Sequence, residues 1–171
     1  MPESQWQIVI LIGEYLEVLE INVRTIIQRV SQASVQVDAK VVGEIGRGLL
    51  VFVCAQPGDT EDTIRRMLQK ILKLRIFSDG AGKMNLSVQD VGGGLLLVSQ
   101  FTLAADVSRG NRPGFSAAAA PDKASADYQK LITLAKSAHP VVQSGVFGAD
   151  MLVSLVNDGP VTIPIELTGD A

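Results

Sequence analysis

The sequence predicts a single α/β domain, a mainly antiparallel sheet with two helices packed on it. Three observations carry the prediction. Short β-branched runs follow one another from Val23 to Ala55, two stretches after Thr60 and Pro121 have helical apolar spacing, and 171 residues at 47% hydrophobic content can bury one core without metal or disulfide staples. No internal repeat, long linker or low-complexity tract divides the chain.

The elements follow in order. VRTIIQRV, SVQVD, KVVGEIGRG and GLLVFVCA read as successive strands, because β-branched residues alternate with Gly and polar breaks. After Pro57-Gly58-Asp59, Thr60 is a candidate N-cap. Ile64, Met67, Leu68, Ile71 and Leu72 then recur at i, i+3, i+4 spacing with Arg65, Arg66, Gln69 and Lys70 opposite, which predicts a helix with one buried face. Gly-rich SDGAGKMN and VGGG bracket a short extended piece. GLLLVSQFTL is too apolar for a one-sided strand and reads as a buried central one. A second helix starts at Pro121, since proline is tolerated in a first turn, and Tyr128, Leu131, Ile132 and Ala135 form its apolar stripe. Two last strands, ADMLVSLVND and VTIPIEL, are expected to join at Gly159-Pro160. Pro164 removes a ladder donor and marks the final strand as an edge or irregular one.

Composition excludes several functions. A formal net charge of −3 argues against coating long stretches of nucleic acid, so any such partner must be gripped locally. One cysteine, Cys54, cannot pair within the chain, and a cytoplasmic location follows. One histidine, His139, permits neither the usual His/Cys zinc site nor a Ser-His-Asp triad, so no metal and no cofactor is expected. It reads as an exposed residue near a helix end. The apolar IVILIG within Met1 to Asn22 is preceded by Glu3, lacks flanking Lys or Arg, and is followed by Glu14, Glu17 and Glu20. It is neither a signal peptide nor long enough to span a bilayer, and no membrane association is expected.

Polar residues interrupt apolar strands in two places: Ser99-Gln100-Phe101-Thr102, and Asn157-Asp158-Gly159-Pro160-Val161-Thr162. Buried polar groups need partners or a purpose. Spacing alone favours a capped strand end and an ordinary turn.

These segments carry a further signal. IIQRVSQASVQVD, VGEIGRGLLVF, LRIFSDGAGKMNLSV, LVSQFTLAADVSRGNRPGFSAAAAP and GVFGADMLVSLVNDGPVTI, in unbroken order from about Val23 to Leu167, closely resemble the D-aminoacyl-tRNA deacylase family. The resemblance implies a homodimer of β-barrel-like subunits with the helices outside and an active site at the interface. The partner is the aminoacylated 3′ end of tRNA. The family's SQ-x-T motif falls on Ser99, Gln100 and Thr102, and its N-x-GP-x-T motif on Asn157, Gly159, Pro160 and Thr162.

What the resemblance implies has chemical sense. Ester hydrolysis develops negative charge on a carbonyl oxygen, and the backbone amides of Phe101 and Thr102 are the implied oxyanion hole. The Thr102 hydroxyl invites a nucleophile reading, yet no His, Lys or paired carboxylate lies nearby in sequence to activate it. Thr102 therefore ranks as a positioning residue first, with water as the attacking group, helped by the RNA's 2′-hydroxyl. A cis Gly159-Pro160 peptide is expected to reach into the partner's pocket, bind the substrate's α-amino group through carbonyls, and fill the space an L side chain would need. Arg29, otherwise an ordinary surface arginine, is expected to hold that element. Arg109, Asn111, Arg112 and Phe115 suit a lip around an RNA end, though a solvated loop describes Arg109 equally well. Met151 reads as core that also lines the pocket, while Lys83 and Met84 carry less weight.

The resemblance begins at Val23. Residues 1–22 are thus an N-terminal extension and a candidate start-site artefact, and 23–171 the deacylase domain. Two rivals remain: an editor of the same fold, with a trans Gly-Pro, that removes a small L-amino acid, and a noncatalytic RNA-end binding module.

Overall fold

The computed structural model describes residues 22–168 of the chain, so the expectations for residues 1–21 lie outside the described residues. Eight strands and two helices follow the order β1 (Asn22–Val37), β2 (Lys40–Ile45), β3 (Gly48–Cys54), α1 (Glu61–Lys73), β4 (Phe77–Ser78), β5 (Met84–Leu86), β6 (Gly94–Ser99), α2 (Pro121–Ala138), β7 (Val142–Ser144), β8 (Leu152–Thr168). A 3-10 turn, Phe101–Ala104, follows β6 directly.

Strand β1 organises the sheet. One edge pairs antiparallel with β8 along nearly its whole length, while the other pairs antiparallel with β3 and then β2. A two-residue hairpin at Asp38 and Ala39, with φ of 48° and 61°, joins β1 to β2, the conformation whose twist matches that of the flanking strands. Beyond β3 the pairing becomes parallel, β3 to β6 and β6 to β7. The sheet is therefore mixed and nearly closed: β2 and β7 approach until a Cβ on Gly43 would lie 2.8 Å from the Ser144 carbonyl oxygen. Only glycine permits that approach.

Both helices begin as their sequences dictate. Thr60 caps α1 and exchanges hydrogen bonds with Thr63, and Pro121 opens α2. Their stripes, Ile64, Met67, Leu68, Ile71 and Leu72 from α1 with Tyr128, Leu131, Ile132 and Ala135 from α2, pack on Ile27, Leu49, Val51, Leu95 and Leu97. A smaller cluster around Val30, Val35, Leu50, Leu96 and Val98 fills the other face.

Four expectations need correction. VRTIIQRV and SVQV form one strand, because the polar Ser31 and Gln32 fall at a register shift in an unbroken ladder. The buried central strand ends at Ser99, and Phe101 to Ala104 coil into the 3-10 turn. Gly159-Pro160 does not join two strands: ADMLVSLVND and VTIPIEL both pair with β1 as one strand, β8. His139 is buried, not exposed; it caps α2, and its Nε2 lies 2.7 Å from the Gly93 carbonyl oxygen. The proline inference holds. Pro164 sits in β8, which among the described residues pairs only with β1 and is an edge.

Candidate active site

Two backbone devices stand out. The first is built where β6 ends between β3 and β7. Leu95, Leu96, Leu97 and Val98 are buried, the Gln100 amide donates to the Val53 carbonyl at 2.7 Å, and the Tyr128 hydroxyl donates to the Leu97 carbonyl at 2.8 Å. Burial pushes the Tyr128 hydroxyl up to about 12, so it stays a donor. The chain then turns into the 3-10 segment, whose first N–H groups have no acceptor of their own. Among the described residues the amides of Phe101 and Thr102 donate to nothing. They are free for a ligand.

The side chains of this segment are arranged around those amides. The Gln100 amide group donates to Thr102 Oγ1. Cys54, its thiol held neutral by burial, places Sγ 3.6 Å from the Phe101 carbonyl oxygen, which belongs to the same peptide as the Thr102 amide. Gln56 donates to that sulfur at 3.1 Å, and its own amide donates to Asp59 Oδ2 at 2.7 Å. Burial raises the Asp59 carboxyl to about 6, against the pull of Gln56 and Lys123, and its Oδ1 has no partner. A void of about 40 Å³ adjoins it, and water requires only about 10–15 Å³.

In front of the strand end lies a cleft of about 590 Å³. Ser99, Gln100 and Phe101 form one wall, Phe147 to Met151 another, and Phe115 the lip. Phe101 and Phe115 meet edge to face, with centroids 4.9 Å apart, and both are exposed. Ser99, Gln100, Phe101, Phe115 and Met151 thus line one cleft, whereas the Thr102 side chain does not. Arg109 and Arg112 do not line it; they lie exposed on a loop closed by paired hydrogen bonds between Asp106 and Gly114. Lys83 and the exposed Met84 are likewise outside it.

The second device is the interruption of β8. Gln28 pairs with Thr162 but Val30 pairs with Asn157, so residues 158–161 are looped out of the ladder. The Asn157 side chain bridges the loop's base, donating to Thr162 Oγ1 at 2.9 Å and accepting from the Val161 amide at 3.0 Å. Gln28 also donates to Thr162, at 3.2 Å. Arg29, 9% exposed, donates through Nε to the Asp158 carbonyl at 3.0 Å and through Nη1 to the Ile76 carbonyl. The Gly159-Pro160 peptide is cis, and Gly159 has φ of 131°. None of the residues from Asn157 to Thr162 lines the cleft of their own chain.

Sequence reasoning missed Gln28, Cys54, Asp59 and the cleft wall at Phe147 to Asp150. A glutamine in a strand opposite Thr162 is visible only once the register is known. The Gly145-Val146-Phe147-Gly148 stretch did carry a signal, since glycines spaced around an aromatic suit a loop that approaches a ligand. Among the described residues no group of three or more His, Cys, Asp and Glu side chains converges as a metal site would require.

Fold and site together define a nearly closed α/β barrel that carries two backbone devices, the unpartnered amides of Phe101 and Thr102 and the looped-out segment 158–161. A family model described as D-Tyr-tRNA(Tyr) deacylase matches residues 26–166, and the chain belongs to that family. The D-aminoacyl-tRNA deacylase of Variovorax paradoxus is 61% identical over 144 residues, covering 84% of this chain and 99% of that protein. That of Aromatoleum aromaticum is 61% identical over 146 residues, covering 85% and 96%. Among solved structures, one described as c-Myc DNA Unwinding Element Binding Protein superposes with a TM-score of 0.80 at 38% identity, over 84% of this chain and 98% of that one. A probable eukaryotic D-amino acid tRNA deacylase matches in fold, with a TM-score of 0.76 at 20% identity, over 85% and 100%.

Proposed function

We propose that this protein hydrolyses the ester of D-aminoacyl-tRNA, freeing the tRNA and a D-amino acid in the cytoplasm. The observation that carries the mechanism is the pair of unpartnered amides at Phe101 and Thr102 beside an aromatic-lipped cleft. Water attacks the ester carbonyl carbon, and the two N–H groups stabilise the oxyanion that forms. Collapse expels the ribose oxygen, which takes one of the attacking water's protons, while the other is released to solvent and the amino acid leaves as its carboxylate. The RNA's neighbouring 2′-hydroxyl assists. Thr102 stays a positioning residue, because its oxygen already accepts from Gln100 and no base bonds it.

Phe101 and Phe115 offer the terminal base a stacking surface, and Arg109 and Arg112 reach the strand leading to it. The looped-out Asp158–Val161 segment enters the cleft of a second copy across an isologous interface. Two observations support this: the segment does not line the Ser99–Phe115 cleft of its own chain, and among the described residues β8 leaves an unpaired edge with Leu152 71% exposed. There the Gly159-Pro160 backbone takes the space of an L side chain. Glycyl esters, having no side chain, are hydrolysed too.

Incubation with D-tyrosyl-, L-tyrosyl-, glycyl- and L-alanyl-tRNA tests the proposal. Loss of the D and glycyl esters alone is expected. Loss of L-alanyl-tRNA would assign an L-editor of this fold, and binding without turnover a noncatalytic module. A monomer as active as wild type would refute the shared site.

A further inference from the structure

Helix α1 separates its charges, with Glu61 and Asp62 in the first turn and Lys70 and Lys73 in the last. The helix dipole favours that order, which accounts for the signs. It does not account for the shape of the surface. Arg66, Gln69, Lys70 and Lys73 share one face at i, i+3, i+4, i+7 spacing, and with Arg75 they line an open cleft of about 500 Å³ that no carboxylate lines among the described residues.

Two nearby acids are already engaged. Glu61 binds Arg65 at 2.8 Å and Lys130 at 2.9 Å, and Glu166 binds Arg24 at 3.2 Å. Arg75 donates to the Asn85 carbonyl at 2.9 Å and shares its charge with Asp90. Lys70 and Lys73 are exposed and have no ion-pair partner among the described residues. In a chain of net charge −3, a concave surface of one sign is a place for an anion.

The position of the cleft narrows the choice. Arg75 adjoins Ile76, whose carbonyl accepts from Arg29, and Arg29 in turn holds the Asp158 carbonyl next to Gly159. The basic cleft therefore adjoins, along the chain, the carbonyl that anchors the arginine holding the Gly159-Pro160 loop. We propose that Lys70 and Lys73 bind the sugar-phosphate backbone of the acceptor arm of the tRNA whose amino acid is being edited. This rests on the deacylase reading. Lysine suits the role, because a flexible point charge neutralises phosphate without fixed geometry or sequence preference.

The test is the double substitution Lys70→Gln/Lys73→Gln, which removes charge at little cost in helix propensity. Fluorescence anisotropy with uncharged tRNA should show Kd raised about tenfold, and a plot of log Kd against log salt shallower by about one to two. For D-tyrosyl-tRNA, KM should rise and kcat should hold, while turnover of D-tyrosyl-adenosine, which has no acceptor arm, should not change. Lys70→Arg/Lys73→Arg should bind as wild type does. An unchanged salt slope, or an equal loss on D-tyrosyl-adenosine, would overturn the assignment. Displacement of tRNA by inorganic phosphate at constant ionic strength would make this a small-anion site instead. Wild-type protein inert towards both esters would defeat the deacylase reading, whereas the anisotropy slope would still decide the cleft.

Discussion

Ser99 to Thr102 end a strand flanked on both sides by other strands, whereas Asn157 to Thr162 interrupt a strand that, among the described residues, is paired on one side only. The first segment emerges from four buried side chains and is backed by Tyr128 from α2. The second contains no buried residue and is held by the side chains of Arg29, Asn157 and Gln28. Both present backbone polar groups, but the core positions one and polar struts position the other. Side-chain changes at the core-backed segment should therefore be muted, while changes at the strutted loop should pass straight into activity.

The largest effect comes from deleting an amide rather than a side chain. Thr102→Pro removes one N–H from the start of the 3-10 turn, where proline's φ is accommodated, and kcat for D-tyrosyl-tRNA should fall by about 10²–10³. Thr102→Ala keeps the amide and should stay within about tenfold of wild type. Equal damage from the two substitutions would mean that the hydroxyl, not the backbone, does the chemistry.

Next is the strutted loop. A Cβ on Gly159 would lie 2.9 Å from Arg29 Nη2 and 2.8 Å from Val161 Cγ2, at a φ that side chains rarely adopt. Gly159→Ala should lower kcat/KM by about 10², through displacement of the loop. Its Tm should change little, since the segment is exposed. A large fall in Tm with activity retained would show that the loop belongs to the fold and not to the site.

Arg29→Lys should do less. One ammonium cannot reproduce the fork that bonds both the Asp158 and Ile76 carbonyls, so about tenfold in kcat/KM and about 1–3 kcal/mol of stability should be lost. Rates on D- and L-tyrosyl-tRNA, compared in the variant, check whether the loss includes selectivity. Wild-type selectivity together with wild-type activity would remove Arg29 from the site.

The same comparison explains what the sequence disclosed. Core-backed features were legible: the i, i+3, i+4 spacing gave α1, and the run GLLLVS gave a central strand, because burial leaves its pattern in composition. The loop at Gly159-Pro160 was legible as a motif and misread as a hairpin turn. Nothing local distinguishes a turn from a loop-out when both flanking runs alternate, and only the ladder to β1 shows that they are one strand. His139 looked exposed for a similar reason, since its partner, Gly93, is distant in sequence, and only the resemblance tied Arg29 to the equally distant Gly159-Pro160 element.

The smallest expected effect lies beneath the core-backed segment, at Asp59. Its Oδ2 accepts from the Gln56 amide at 2.7 Å, its Oδ1 is buried without a partner, and Lys123 donates to its backbone carbonyl rather than to its carboxylate. Burial is the main cause that lifts its carboxyl from 3.8 to about 6. The folded protein thus binds this proton more tightly than the unfolded chain does. The stability it contributes is fully present below pH 3.8 and is lost as pH rises through about 6. Asp59→Asn keeps an acceptor for the Gln56 amide and cannot titrate. The unfolding free energy of wild type minus that of Asp59→Asn, from urea denaturation, should therefore fall between about pH 4 and pH 7 and level off above. The fall should be on the order of 1 kcal/mol, short of the full linkage value because Lys123 and solvent in the adjoining void screen the charge. Activity at pH 7 should barely change, since the amides of Phe101 and Thr102 are positioned by β3 and β6. A difference that rises over the same interval would mean that Asp59 is stabilised as an anion, and that the floor of this site is a charged strut like the one beneath Gly159 rather than a core.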